Sequence, residues 1–257
     1  MEIVFIGAGR LATNLAKALT AAGHRVSAVY SRTLANADAL CSVVGGSPAD
    51  SIADLPLTAD AFIIAVKDMA IAELLPQLEQ GRESQAFFHT SGSVALSVFG
   101  RHACAGVIYP MQTFSKERQV DFRPIPIFIE GTTERACATA ETIARSVSQN
   151  VERRTSEERR RLHLAAVFAC NFANHCYALS ARVLEEAGMS FEVMLPLIDE
   201  TTAKIHNMPP RAAQTGPAIR YDRQVIDAHL HMLDADPLSR EVYELMSRSI
   251  HTMSEQQ

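Results

Sequence analysis

The sequence predicts an α/β chain, a doubly wound parallel sheet followed by an all-helical C-terminal region. Three observations predict it. Short apolar runs alternate with helix-patterned stretches as far as Arg153, the pattern of strands joined by crossover helices. The first run leads through a glycine turn into a helix, in Ile3-Val4-Phe5-Ile6-Gly7-Ala8-Gly9-Arg10-Leu11-Ala12. Beyond Arg153 no strand pattern appears and helical periodicity takes over. The division implied is a first domain of residues 1–153 and a helical domain of residues 154–257.

Residues 3–6 read as a buried strand and residues 11–22 as a helix closed by Gly23. The turn between them has the form G-x-G-x-x-A, which in a strand–turn–helix context binds a dinucleotide. Gly7 permits the tight turn, Gly9 lets the backbone approach a pyrophosphate, and Ala12 lets the helix pack closely on the strand. With Ala8, Arg10 and Leu11, the free N–H groups of the first helical turn then face the phosphate charge. Residues 25–30 are the second strand. An NAD site usually places Asp or Glu at its end, to accept from the ribose 2′-OH. Here stand Ser31-Arg32-Thr33. A guanidinium and two hydroxyls suit a 2′-phosphate, so the expected cofactor is NADP(H).

Residues 43–46 read as a short third strand, and residues 61–66 as a buried strand followed by a helix over 69–78. Residues 86–88 form the next strand and lead into His89-Thr90-Ser91-Gly92-Ser93. Residues 106–109 run into Pro110-Met111-Gln112-Thr113; a strand over 125–129, a helix over 132–147 and an edge strand over 150–153 complete the domain. Ligands of such sheets bind beyond the carboxyl ends of the strands. That rule gathers residues 7–11, 31–33, 65–68, 89–93 and 109–113 on one rim. Ala65, Val66 and Ser91 are expected to line the path to the nicotinamide. His89 is expected there either as a proton shuttle or as a turn stabiliser.

Thr155-Ser156-Glu157-Glu158 has capping-box form. One long helix is expected from there to Ala187, ended by Gly188. Its five arginines between positions 153 and 161 alternate with glutamates and read as a solvated start. Residues 164–170 are apolar on every side, so burial is expected. His163, Asn171, Asn174 and His175 share one arc at about 3.6 residues per turn. Two readings stand: a hydrogen-bonded network between helices, or a substrate pocket with His163 as proton donor and Asn171 and Asn174 orienting a polar substrate. Residues 207–221 form a long connection without periodicity, a shaped loop whose Thr215, Gly216 and Arg220 are candidate substrate contacts. Further helices are expected over 191–205, from an Asp222 cap to residue 233, and from Asp236-Pro237 onward.

A net charge of −5 argues against a nucleic-acid partner. Five cysteines, an odd number with no C-x-x-C, argue against a disulfide framework or a structural zinc, so no metal is expected. Reduced thiols and an N-terminus that starts directly in a strand lead to the expectation of a cytoplasmic protein. No apolar run is long enough to span a membrane.

Gly7-Ala8-Gly9, Ser31-Arg32-Thr33, His89-Thr90-Ser91-Gly92-Ser93 and Tyr109-Pro110-Met111-Gln112-Thr113 together resemble the N-terminal, Rossmann-type domain of a group of bacterial NADP oxidoreductases. That domain is similar to those of pyrroline-5-carboxylate reductase and deazaflavin-dependent NADP oxidoreductase. His163-Leu164-Ala165-Ala166-Val167-Phe168-Ala169-Cys170-Asn171-Phe172 and Gln214-Thr215-Gly216-Pro217-Ala218-Ile219-Arg220 resemble the helical domain that accompanies it in this group. The resemblance implies NADP(H), a small-molecule substrate and a homodimer formed through the helical domain. In the related 6-phosphogluconate and hydroxyisobutyrate dehydrogenases a catalytic lysine on the long helix precedes an asparagine by one turn. Here that neighbourhood holds His163 and Asn171 and no lysine. Tyr109-Pro110-Met111 is similar to the His-Pro-Met of prephenate dehydrogenases with tyrosine in place of histidine. Neither catalytic scheme carries over. The function expected is hydride transfer to or from a small polar imine, keto acid or hydroxy acid. The alternatives are an NADP-sensing or scaffolding protein without turnover, and a deazaflavin-linked reductase.

Overall fold

The computed structural model describes residues 1–256. The chain divides into two units, Met1–Asn171 and Phe172–Gln257. The start of the long helix, expected with the second domain, therefore counts with the first unit.

The first unit is built on one eight-stranded sheet in the order β3-β2-β1-β4-β5-β6-β7-β8. Its strands are β1 (Glu2–Ile6), β2 (Arg25–Tyr30), β3 (Ser47–Ala49), β4 (Ala61–Ile64), β5 (Phe87–His89), β6 (Ala105–Pro110), β7 (Ile127–Gly131) and β8 (Val151–Arg153). Helices α1 (Arg10–Ala21), α2 (Leu34–Val44), α3 (Asp68–Glu79) and α4 (Glu134–Arg145) cover it. Ala12, Leu15, Ala37, Leu40, Ala136 and Ile143 pack with Ile3, Phe5 and Ile63 on one face. Ile71, Leu75 and Leu78 pack with Val4, Ile6 and Phe62 on the other. Covered on both faces, the central strands carry continuous apolar runs rather than an alternating pattern.

Strands β1 to β6 are parallel, but β7 runs antiparallel to β6 and carries β8 with it. The all-parallel expectation fails at that edge because residues 111–126 contain no helix. A parallel return needs a crossover, usually helical. Residues 43–46 are not a strand either. Val43 and Val44 end α2, and Gly45 and Gly46 turn the chain at φ of 83° and 87°. The third strand begins just after, with Pro48 tolerated at the sheet edge.

The helix after β8 starts at the expected capping box on Thr155 and Glu158. It runs as α5 (Ser156–Ala166), changes to a π-helix over Val167–Phe172, and resumes as α6 (Ala173–Glu186). Gly188, at φ 69°, follows its end. The second unit continues with α7 (Leu195–Asn207), α8 (Pro210–Ala213), α9 (Arg223–Met232) and α10 (Pro237–Glu255). The connection read as structureless thus contains α8. Asp222 and Asp236 cap the last two helices through the N–H groups of Val225 and Ser239. No helix among the described residues is long and apolar enough to cross a membrane.

Candidate functional site

Parallel pairing brings strand ends together. Ile6 stands in register with Tyr30 on one side and Ile64 on the other, and Ile64 with His89. The chain leaves the sheet at Gly7, Ser31, Ala65 and Thr90, and their N–H groups bond to Tyr30 O, Ala49 O, Ile6 O and Ile64 O at 2.8, 3.0, 2.8 and 3.1 Å. Here a cleft of about 470 Å³ opens. Gly7, Ala8, Gly9, Arg10, Leu11, Ser31, Arg32, Thr33, Ala65 and Val66 all line it, joined by Asn36 and Lys67.

The two glycines differ in kind. Gly7 has φ +116°, and a Cβ there would lie 2.4 Å from the Ala65 carbonyl oxygen. The fold itself requires it. Gly9 has φ −78°, and a Cβ there would meet nothing within 4 Å. The protein leaves that volume empty beside the start of α1, whose first turn has neither a side-chain cap nor an acidic residue. Uncapped N–H donors next to open space suit an anion. At the end of β2, Ser31 Oγ accepts from Thr33 N at 3.3 Å. Arg32 is exposed and has no carboxylate partner among the described residues. Helix α2 likewise starts without a side-chain cap or an acidic residue. These features fit a dinucleotide carrying a 2′-phosphate.

A second polar cluster stands at the carboxyl edge of β5 and β6. The N–H groups of Ser93 and Val94 donate to Ser91 Oγ at 3.1 and 3.0 Å, and Ser93 Oγ donates to Asp68. Arg159, 1% exposed, reaches this loop from α5. Its Nε donates to Ser91 O at 3.1 Å, another guanidinium nitrogen to Val94 O, and a third to Glu130 Oε2 at 2.6 Å. Ser156 ties the same carboxylate to α5 through its N–H at 2.9 Å and its hydroxyl at 2.7 Å. Burial depresses the Arg159 pKa and Glu130 opposes that shift. Beyond this clamp, Tyr109 Oη lies 3.2 Å from His163 Nδ1. Gly92 is wedged against both rings, since a Cβ there would sit 2.8 Å from His163 Nδ1 and 2.8 Å from Tyr109 Cζ.

The arginine cluster is therefore not all solvated. The signal available for Arg159 was Glu130, a lone carboxylate in the apolar strand Ile127–Gly131, which needs a partner when buried. The sequence marks Tyr109 and Asp68 only as rim residues, the former also within its Tyr-Pro-Met motif, because their partners His163 and Ser93 lie 54 and 25 residues away.

Other expected residues fall differently. His89 is fully buried, stacked on Phe99 at 5.5 Å, with Nδ1 accepting from Ser91 N at 3.2 Å. Burial first, then the Arg159 charge, pushes its pKa down to about 3. That is the turn-stabilising arrangement; the proton-shuttle expectation finds no support in the geometry. Ser91 is buried in its own turn and does not line the cleft. Leu164 and Phe168 are 58% and 62% exposed, so the apolar stretch expected to be buried lies at the surface of the single chain. Asn171, Asn174 and His175 are exposed rather than forming a buried arc. On the second unit, Thr215 and Arg220 are exposed and Gly216 turns the chain at φ +105°. None of the three lines the cavity of about 430 Å³ bounded by Pro210, Arg211, Gln214, Ile219, Ile250, Met253 and Ser254.

Comparison with known proteins agrees with this layout. Residues 2–87 match the family described as NADP oxidoreductase coenzyme F420-dependent, and residues 125–250 match a domain of unknown function, DUF2520. No curated protein matches the sequence. Among solved structures, a putative NADP oxidoreductase from Bacteroides fragilis is 50% identical over 98% of each chain, with a TM-score of 0.94. A Thermotoga maritima protein is 22% identical over 99% of this chain and 98% of its own, with a TM-score of 0.72. An imine reductase from Myxococcus stipitatus, solved in complex with NADP+, is 16% identical over 99% of this chain and 94% of its own, with a TM-score of 0.73. The last two share the fold. The strand–glycine–helix cleft, the helical second unit and the half-identical relative together place the chain in the family of NADP oxidoreductases that join a Rossmann domain to a DUF2520 domain.

Proposed function

We propose that the protein moves a hydride between NADP(H) and a small polar substrate of the imine, keto acid or hydroxy acid type. The observation that carries this is the cleft in which an uncapped α1 start, the open volume at Gly9 and the exposed Arg32 guanidinium converge. Gly7, Ala8, Gly9, Arg10 and Leu11 would hold the pyrophosphate and Ser31, Arg32 and Thr33 the 2′-phosphate. Ala65 and Val66 would flank the nicotinamide. When bound, NADPH supplies the hydride. The chain's part is to orient the acceptor carbon and to place donors where charge develops. His163, half-buried at the same sheet edge, is the proposed donor. Asn171 is a proposed substrate contact. The imine reductase relative supports the imine as the first substrate to try.

The apolar surface of the second unit supports a homodimer. Val183, Val193, Leu197 and Met246 are 43%, 58%, 62% and 49% exposed, apolar surface that a second copy would cover. Five free cysteines support a reducing, cytoplasmic setting.

The test is a binding titration with NADPH and NADH, repeated on Arg32→Ala. Tight NADPH binding, weak NADH binding and loss of that preference in the variant support the reading. Equal binding of both nucleotides by the wild type, or none, refutes it.

A further inference from the structure

The geometry points to Tyr109 as the residue that positions His163, its phenolic hydroxyl donating to Nδ1 so that the neutral imidazole keeps its hydrogen on Nε2 as a hydrogen-bond donor. The inference rests on the hydride-transfer reading above for its purpose, and on the Tyr109–His163 contact for its substance.

Tyr109 sits near the end of β6 and is 8% exposed. It packs with Val107 and Phe128, and with Leu96, Met111 and Leu162 around them. A ring held on these sides keeps its hydroxyl in one place. That hydroxyl lies 3.2 Å from His163 Nδ1, with the two rings edge to face at 6.2 Å. Gly92 allows the approach, because any side chain there would strike both rings. Arg159 fixes Gly92 in turn by bonding the carbonyls of Ser91 and Val94 on either side of it, while Glu130 holds Arg159. Three chain segments thus converge on one contact.

The direction of the hydrogen bond follows from chemistry. A phenol surrounded by apolar side chains keeps its proton, and burial raises the Tyr109 pKa further. The Arg159 charge works against that shift, while Asp68 and Cys170 act with burial. A neutral phenol can donate or accept, but Tyr109 Oη is buried and has no other hydrogen-bond partner among the described residues, so only donation to Nδ1 leaves its hydrogen paired; Nδ1 then accepts, and the neutral ring carries its hydrogen on Nε2. A neutral imidazole N–H facing an oxygen or nitrogen that gains electrons stabilises the developing charge without giving up its own proton, and the proton that completes the product comes from solvent water. Tyr109 acts through His163 and is a positioning residue.

The test uses the full-length protein with 15N-labelled histidine rings. Long-range proton–nitrogen correlation spectra are recorded at pH 8.5, and His163 is assigned by its loss in His163→Asn. The expected wild-type signature is protonated Nε2 with unprotonated Nδ1. In Tyr109→Phe the ring is expected to become a mixture of tautomers. In the same variant kcat should fall at least tenfold with KM and NADPH affinity within twofold. A wild-type Nδ1–H tautomer overturns the proposal, and so does a Tyr109→Phe ring that keeps the wild-type signature. Gly92→Ala provides an independent arm, since its methyl group should push the two rings apart and shift the tautomer mixture while leaving both side chains chemically intact. If NADPH fails to bind, the hydride-transfer reading falls, but the tautomer spectra still decide the pair.

Discussion

Gly7 and Gly9 stand two residues apart in one motif, and their replacement by alanine should separate fold from function. At Gly7 the new Cβ would lie 2.4 Å from the Ala65 carbonyl oxygen and 2.9 Å from its carbon, at φ +116°. Backbone atoms cannot rotate away, so β4 must move from β1. Overpacking costs about 1–3 kcal/mol, and an L-residue forced to positive φ adds roughly 1–2 kcal/mol. A total of about 3 kcal/mol corresponds to a fall in Tm on the order of 6–12 °C for a chain of this size. At Gly9 the Cβ meets nothing within 4 Å and φ is already negative. The only structural cost is a poorer helix N-cap, roughly 0.5 kcal/mol, or about 1–2 °C. The methyl group would instead occupy the space left for a pyrophosphate. NADPH affinity should fall at least about tenfold, equivalent to ~1.4 kcal/mol. Differential scanning fluorimetry and an NADPH fluorescence titration on both variants decide the matter. A Gly9→Ala protein that melts as early as Gly7→Ala, or that binds NADPH like the wild type, would show that the empty volume is not a cofactor cradle.

Other consequences stem from the buried groups and the exposed faces. Arg159→Met leaves Glu130 without its cation and should cost about 3–5 kcal/mol in chemical denaturation, with part recovered in Arg159→Met/Glu130→Leu; no recovery would mean that the loop contacts of Arg159 matter more than the ion pair. Arg32→Ala removes the proposed charge-assisted bonds to a 2′-phosphate and should weaken NADPH by about 10- to 100-fold while sparing NADH; equal losses for both would count against the assignment. His89 has a folded-state pKa of about 3 against an ordinary 6.5. The unfolded chain therefore binds this proton first, and stability is lost as pH falls from about 6.5 toward 3, by at most about 1.4 kcal/mol per pH unit. Denaturation midpoints in that window should fall less steeply for His89→Gln than for the wild type. The exposed apolar side chains of the second unit predict a dimer in light scattering, which Leu197→Glu with Met246→Glu should dissociate.

The cleft was legible because its elements are local. A strand period, two glycines and the residues at a strand end are contiguous, and parallel pairing then carries each strand end to the same edge. The antiparallel β7 was half legible, in the absence of a helix over residues 111–126. Helix α2 was hidden behind two valines that favour strands on their own but here close a helix before Gly45. The exposure of the polar arc on the long helix was not legible, because an apolar sequence reports what a helix is able to bury and not what covers it.

By itself the sequence determined the alternation of strands and helices, the nucleotide-facing turn and the capping of the helices, since each depends on residues within a few positions of one another. Only the tertiary structure decided that Arg159 meets Glu130 across 29 residues and that Tyr109 meets His163 across 54. Those contacts depend on the register of β5, β6 and β7 and on the rotation of α5 above them. Register and rotation are set by the packing of the whole layer, and no short stretch of sequence encodes them.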